Sequence, residues 1–556
     1  MKLKLVGLPT IVVLFVLISK ISLGSVGGTE SVVKRGSITG TVVSDHGQVK
    51  AFRVTARNLS YHIAYSVYTR QGSFRVPEAL PGPYEVFGTD PNYTSTTVKF
   101  DLASDQDYVA HLSVTKISPR SDVTLMSYDE LYPPGPARDL LERTCMSCHN
   151  HNFFHHMQRS EEGWRAAIRM MRWGRTTIGP FSVGPPLLRT ALSRKDVDTL
   201  VGYLTKNFGP ESPKRDLNFN PLPVNEDIIS KSIFVEYEIP RMKPNQVMKT
   251  QDTHDVLIAA DKTLWVSAIC CATMLHLDQH DRNPETRWKI YKLPDPTAGP
   301  HGIAEDQSGH IYYADVNHTV LGEIAPETGK ITEHMSPGRG TPHSLLTDQH
   351  GNIWFSEIRG GALSKYEPTL DRLSAFFPAT ADPGTYQPAE DMSGNIWVPG
   401  MTKNEIMKFD PVKEVFTEYR TPTPASGPRR SRRDYQGNIW FTETNGARLG
   451  KIDPATGRIT EYRLPESNAE PYEVWFRKNE DGTVWASDGP NDTILRFDVK
   501  TGKTTFYPLP QGPIWAVRKV EVETNNTFWF TTITVKRPAV YHFYPDGYTT
   551  TAPPEP

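Results

Sequence analysis

The chain has 556 residues, 38% of them hydrophobic, which at about 150 residues per domain is enough for three or four cored domains. Its 61 Lys and Arg balance 63 Asp and Glu, and this disfavours nucleic-acid binding through a broad basic field. Forty Gly, 46 Pro and 10% aromatic residues fit a turn-rich, mainly β protein, and four cysteines are too few for a disulfide scaffold.

Met1-Lys2-Leu3-Lys4 is a basic start to an apolar run that reaches Leu23, and Ser22 and Gly24 are spaced as at a signal-peptidase site. Residues 1–24 therefore read as a signal peptide. The run is also nearly long enough to stay as an uncleaved membrane anchor. Either way the expected location is outside the cytoplasm, periplasmic or extracellular.

Residues 36–115 alternate apolar and polar side chains in short runs, as in Ile38-Thr39-Gly40-Thr41-Val42-Val43, with turn residues between them. That pattern predicts a small β-sandwich. The stretches Tyr68-Thr69-Arg70-Gln71-Gly72-Ser73-Phe74 and Leu80-Pro81-Gly82-Pro83-Tyr84-Glu85-Val86 resemble the carboxypeptidase regulatory-like domain. The resemblance implies an Ig-like module without catalytic residues, a spacer or a docking surface. Pro133-Pro134-Gly135-Pro136 closes a linker over 116–136.

Cys145-Met146-Ser147-Cys148-His149 is the C-x-x-C-H pattern of c-type haem attachment. Two thiols add to the two vinyl groups of one haem, and the next residue presents an imidazole to the iron. A zinc site would want further Cys or His ligands at similar spacing, and the other two cysteines lie more than 120 residues away. Helices are expected over Ala137–Thr144, over 161–173 behind Ser160, and over Ser193–Phe208, where Val197, Leu200, Val201 and Leu204 recur at helical spacing. This set, residues 137–209, is similar to the haem domain of quinohaemoprotein amine dehydrogenases. That resemblance implies a methionine on the middle helix as sixth iron ligand, here Met170 or Met171, with His151, His155 and His156 as rivals. A second linker spans 210–232.

From residue 233 to the end the chain repeats with a period of 42 to 47 residues. Seven strands carry an aromatic anchor: Trp265, Tyr312, Trp354, Trp397, Trp440, Trp485 and Trp529. An outer-strand sequence ending in proline, 459–465, has a copy at 234–240 ahead of the first anchor, so that copy should complete the last blade and close a seven-bladed, four-stranded propeller. Gly-Asn-Ile-Trp-Phe-Ser-Glu (351–357), Gly-Asn-Ile-Trp-Phe-Thr-Glu (437–443) and the 451–457 segment resemble the streptogramin (virginiamycin B) lyase family. The expected fold is thus multidomain and mainly β: an Ig-like sandwich, a small all-α cytochrome c domain and a propeller.

Counting 11 residues back from the anchors gives His254, His301, His343, Tyr386 and Arg429, and an insertion of two gives Tyr472 in blade six. These positions should ring one mouth of the central channel. Three residues after the anchors come Asp315, Glu357, Glu443 and Asp488, expected near the same mouth. Imidazoles, phenols and carboxylates together suit acid–base chemistry or a hard metal ion, and a polar mouth also simply holds water. The lyase resemblance implies His343 as base, His301 as substrate contact and Glu357 as a Mg2+ ligand. The family's other glutamate is replaced here by Thr341, which weakens that metal site.

Arg429, Arg430, Arg432 and Arg433 crowd one inner strand, to be neutralised by Glu390, Asp391 and Glu443 or by an anionic small molecule. Cys270-Cys271 could close a vicinal disulfide or stay as two thiols. Three functions follow: an exported monohaem cytochrome exchanging electrons with a partner protein or quinone, coupled to a small-molecule-binding propeller; a lyase-like elimination; or a docking module. Haem c favours the first, because a lyase has no use for it.

Overall fold

Four of the anchors are held by an aspartate in the turn before them. Asp348 accepts the backbone N–H groups of His350 and Asn352 and, at 2.8 Å, the indole N–H of Trp354. Asp391 and Asp434 do the same for Trp397 and Trp440, and Asp306 takes the Tyr312 hydroxyl. The glycine in each turn, at 309, 351, 394 and 437, has φ between 82° and 91°, a conformation that a side chain would strain. An outer-strand ring then stacks on the indole: Tyr419 on Trp397 at 5.6 Å, Tyr462 on Trp440 at 5.3 Å and Tyr507 on Trp485 at 5.5 Å. In blades four and five one aspartate, one glycine and two rings thus fix the hairpin and its outer strand, and in blade six Glu480 replaces the aspartate on Trp485, at 2.9 Å.

The computed structural model describes residues 33–548 except 46, 118–121, 147–153, 156, 174–191, 218–221, 244–251, 339, 359, 466–468, 512–516 and 533–536, and except the side chains at 143 and 170–173. The proposed signal segment, Cys148, His149, His151 and His156 lie outside the described residues. So do the side chains of Met170 and Met171, whose backbone is in the helix Glu161–Trp173.

Six blades are separate four-stranded antiparallel sheets, the first from Val256–Ile258 to Trp288–Lys292 and the sixth from Pro471–Trp475 to Thr504–Pro508. The seventh holds Val517–Val522, Phe528–Thr532 and Ala539–Tyr544, and its fourth strand is Ile233–Glu238, as the early outer-strand copy predicts. That strand has a second partner. Its other edge pairs with Ile63–Tyr68, so the seventh blade runs on through Arg53–Asn58, Gly82–Gly88 and Thr97–Leu102 as one eight-stranded sheet. The facing layer of the N-terminal sandwich is Ser73–Ala79, Gly36–Ser44, Asp107–Lys116 and Tyr93–Ser95. Buried Ser66 donates to Glu236 at 2.7 Å, and Arg57 pairs with Glu238 at 2.8 Å across the junction.

The helices Pro136–Thr144, Glu161–Trp173 and Arg194–Phe208 share a core of Leu140, Leu141, Trp164, Ile168, Leu200, Leu204 and Phe208. Ser193 and Asp196 form a reciprocal cap at the last of them. The span 116–136 is not a bare linker. Leu131 and Tyr132 are buried in this helical core, and Thr124–Met126 pairs in parallel with Arg215–Leu217, because an apolar pair there finds the helices' open face. No helix among the described residues is long and apolar enough to cross a membrane.

Proline at Val235, central to the closing strand and 3% exposed, removes a ladder hydrogen bond and should cost about 3 kcal/mol or more. Thermal unfolding of Val235→Pro should show a lower Tm, whereas an unchanged Tm would mean that this strand does not close the ring.

Candidate functional site

The inner strands place their second residues around the channel mouth. Ring centroids of His254 and His301 are 3.5 Å apart, those of His301 and His343 3.9 Å, and those of His343 and Tyr386 4.5 Å. The Tyr386 and Tyr472 hydroxyls are 2.5 Å apart, and the Arg429 guanidinium lies over both rings, at 5.9 and 5.3 Å. The structure therefore brings together all six positions reached by counting. A seventh was missed. Arg518, 11 residues before Trp529, stands 4.4 Å over the Tyr472 ring and completes the circle. The same count, carried one blade further, finds it.

His301 Nδ1 lies 3.0 Å from the carbonyl oxygen of His343, so it carries the proton and leaves Nε2 as an acceptor. His254 Nδ1 is likewise turned to Asp255, at 2.9 Å. Burial keeps both imidazoles neutral. It pushes His254 down to about 4 against the opposing pull of Asp255, and His301 well below its ordinary value, helped by the neighbouring histidines.

Beneath the ring, Arg430 crosses the channel axis. It is fully buried, and its guanidinium bonds Gln387 at 2.6 Å, Glu473 at 3.0 Å and Asp255 at 3.0 Å. The expected neutralisers are thus corrected: Asp255 and Glu473 serve Arg430, while Asp391 is spent on the Trp397 turn and Glu390 accepts the backbone N–H of Gln349. Arg433 donates to the Glu390 carbonyl oxygen at 3.1 Å. Below Arg430 a separate cavity of about 490 Å³ opens at the other end, lined by Leu257, Ile303, Leu345, Arg432 and Lys519 among others.

The four carboxylates three residues after the anchors sit at the same end of their blades but do not join the ring. Asp315 accepts the N–H of Gly299 at 2.9 Å, Asp488 that of Glu470 at 3.0 Å, and Glu443 the Ser426 hydroxyl at 2.7 Å. Glu357 accepts from Ser336, Gly338, Gly340 and Ser364. Each clamps the loop that enters an inner strand, because strand pairing sets it opposite that strand's first residue. Glu357 is accordingly a loop clamp rather than a magnesium ligand, its two oxygens taken by four donors. Burial and adjacent Glu461 push the Glu443 carboxyl up to about 8.

Among the described residues, His254, Asp255 and His301 offer ligand atoms within 4.8 Å of one another. Arg430 already neutralises Asp255, so a divalent cation there would meet a buried guanidinium, and the residues present do not fit magnesium. Cys145 ends the helix Pro136–Thr144, half-buried against the apolar helical core. His155 is removed as an iron ligand, since its Nε2 bonds Asp216 at 3.0 Å and its Nδ1 the Tyr132 hydroxyl at 3.3 Å. Cys270 and Cys271 form a vicinal disulfide in the turn after Leu264–Ala268.

Residues 372–537 match the model of the virginiamycin B lyase family. That span holds Tyr386, Arg429, Tyr472 and Arg518, and it leaves out His254, His301 and His343. No curated protein gives a significant sequence match. Among solved structures, the virginiamycin B lyase from Staphylococcus aureus is 19% identical with a TM-score of 0.48, over 56% of this chain and 99% of that one. A streptogramin B lyase structure gives 19% and 0.49, over 56% and 97%. The WD40 β-propeller domain of Doa1 gives 13% and 0.43, over 56% and 96%.

Arg430→Met should leave Asp255 buried without its guanidinium partner and Glu473 with only Arg432, at 3.6 Å, and cost about 3–5 kcal/mol in urea unfolding. The neutral imidazoles set a pH dependence. Unfolded histidines take up protons near pH 6.5 that His254 and His301 refuse, so their contribution is complete above that pH and is lost as pH falls toward 4. A displacement from 6.5 to about 4 is worth about 3 kcal/mol. The urea midpoint should fall between pH 7 and pH 5, and His254→Gln should narrow that fall.

Proposed function

We propose that the chain is an exported monohaem c-type cytochrome whose propeller binds a small acidic organic molecule at the seven-residue mouth. The observation that carries the propeller half is the ring itself: imidazoles on one arc, His254, His301 and His343, face phenols and cations on the other, Tyr386, Tyr472, Arg429 and Arg518. A molecule with a donor at one end and an acidic group at the other is complementary to both arcs. The haem half rests on Cys145, Cys148 and His149, with Met170 or Met171 as the sixth iron ligand. Once bound there, haem c would exchange one electron at a time with a protein partner or a quinone.

The match over 372–537 favours a second reading, elimination at the mouth with His343 as base. Thr341 and the saturated Glu357 deprive that reading of its metal, so it is the weaker of the two. In either reading the sandwich serves as a spacer or docking module.

Produced in a host that matures c-type cytochromes, the protein should show a covalent haem c spectrum that is lost in Cys148→Ala. Candidate acidic substrates should reduce the haem of the wild type but not of His343→Ala. A haem that titrates yet ignores every substrate would leave elimination or docking, and absence of covalent haem would overturn the cytochrome reading.

A further inference from the structure

Tyr472 is the most unusually placed phenol of the mouth. Its hydroxyl shares a 2.5 Å hydrogen bond with that of Tyr386, and both residues are buried. Charged groups face it from two blades. Arg429 and Arg430, both 5.3 Å from its ring centroid, come from blade five. Arg518, at 4.4 Å, comes from blade seven. Asp255 of blade one and Glu473, the neighbour of Tyr472 on its own strand, enter through Arg430. Arg430 is balanced by Asp255 and Glu473. Arg518 makes no ion pair with a carboxylate among the described residues, and its charge therefore acts on the phenol beneath it.

Opposite charge within about 4–6 Å favours an ionised acid, and a donated hydrogen bond does so further. Tyr386 can donate to Tyr472 only if the Tyr472 oxygen is the acceptor, and an ionised oxygen accepts best. Burial pushes the Tyr472 phenol up, yet Arg518, Arg430 and Arg429 outweigh it and hold the group below the ordinary tyrosine range. The same burial, with Tyr472 beside it, pushes Tyr386 upward, so the two phenols are driven apart.

We propose that Tyr472 is a proton-accepting residue of this mouth and that its ligand carries a weakly acidic hydroxyl, phenolic or enolic, which gives its proton to Tyr472. The step balances within the site. The ligand O–H bond breaks and its electron pair stays on the ligand oxygen. A proton joins the Tyr472 oxygen, and the negative charge passes from one oxygen to the other under the same guanidiniums. This deepens the reading of the mouth as a small-molecule site and rests on it.

The test is a spectrophotometric tyrosinate titration of the full-length protein near 295 nm, recorded as difference curves between wild type and variants. Of the chain's 23 tyrosines, one equivalent should ionise at least about one pH unit below the ordinary tyrosine value. It should vanish in Tyr472→Phe and move upward in Arg518→Met, at a half-buried position. The second readout is binding of 4-cyanophenol against its methyl ether, followed by calorimetry. The phenol should bind at least about tenfold more tightly, a difference of about 1.4 kcal/mol, and Tyr472→Phe should abolish that preference. Superimposable titrations of wild type and Tyr472→Phe, an Arg518→Met curve that does not move, or equal affinity for phenol and ether would each overturn the proposal. None of these readouts depends on haem, so their failure and failure of the cytochrome reading remain separate results.

Discussion

Closure of the ring rests on six residues that arrive long before the blade they finish. Ile233–Glu238 pairs along one edge with Ala539–Tyr544, about 300 residues later in the chain, and along the other with Ile63–Tyr68. Closing so long a loop costs conformational entropy that grows only slowly with length, and a fully paired central strand offsets it. Double pairing also leaves neither the seventh blade nor the sandwich sheet with an open edge at this junction. The ring geometry follows: only with blade seven shut does Arg518 come to lie over Tyr472 and close the circle with His254.

Arg430 is the second constraint. One guanidinium on the axis joins blades one, four, five and six through Asp255, Gln387 and Glu473. A buried cation is tolerated because its neighbours arrive from opposite sides of the ring with good geometry. It floors the histidine–tyrosine mouth and separates it from the cavity at the far end. Since the carboxylates are committed to Arg430, the upper ring is left with neutral imidazoles, phenols and cations. That set does not fit a divalent metal.

The blade carboxylates show how one residue type divides by position. Asp348, Asp391 and Asp434 hold turns and indoles, whereas Asp315, Glu357, Glu443 and Asp488 hold the loops entering the inner strands. Each set recurs at blade spacing, and the second set reads in the sequence as repeated acids near a mouth. Only their bonding partners separate scaffold from site, and in both sets the partners are backbone N–H groups, hydroxyls and indoles of the same or adjoining loops.

Much was legible beforehand because it is local or periodic. The spacing of Trp265 to Trp529 set the number of blades, the early copy at 234–240 told how the ring closes, and the helices at 137–208 followed from apolar spacing and caps. Counting back from the anchors found six members of the ring, since inner strands of equal length put equivalent residues at equivalent depth. What counting could not supply was direction and partnership. Glu357 counts as a mouth residue but turns into its loop, Asp255 and Glu473 look like ordinary strand acids until Arg430 reaches them, and His155 resembles a ligand until Asp216 holds it. The sequence alone determined the repeat, the closure and which residues could share a mouth, because strand period and chain spacing are properties of one segment at a time. Tertiary structure alone decided which carboxylates neutralise Arg430 and which phenol lies beneath Arg518, because those pairs come from different blades and meet only across the channel.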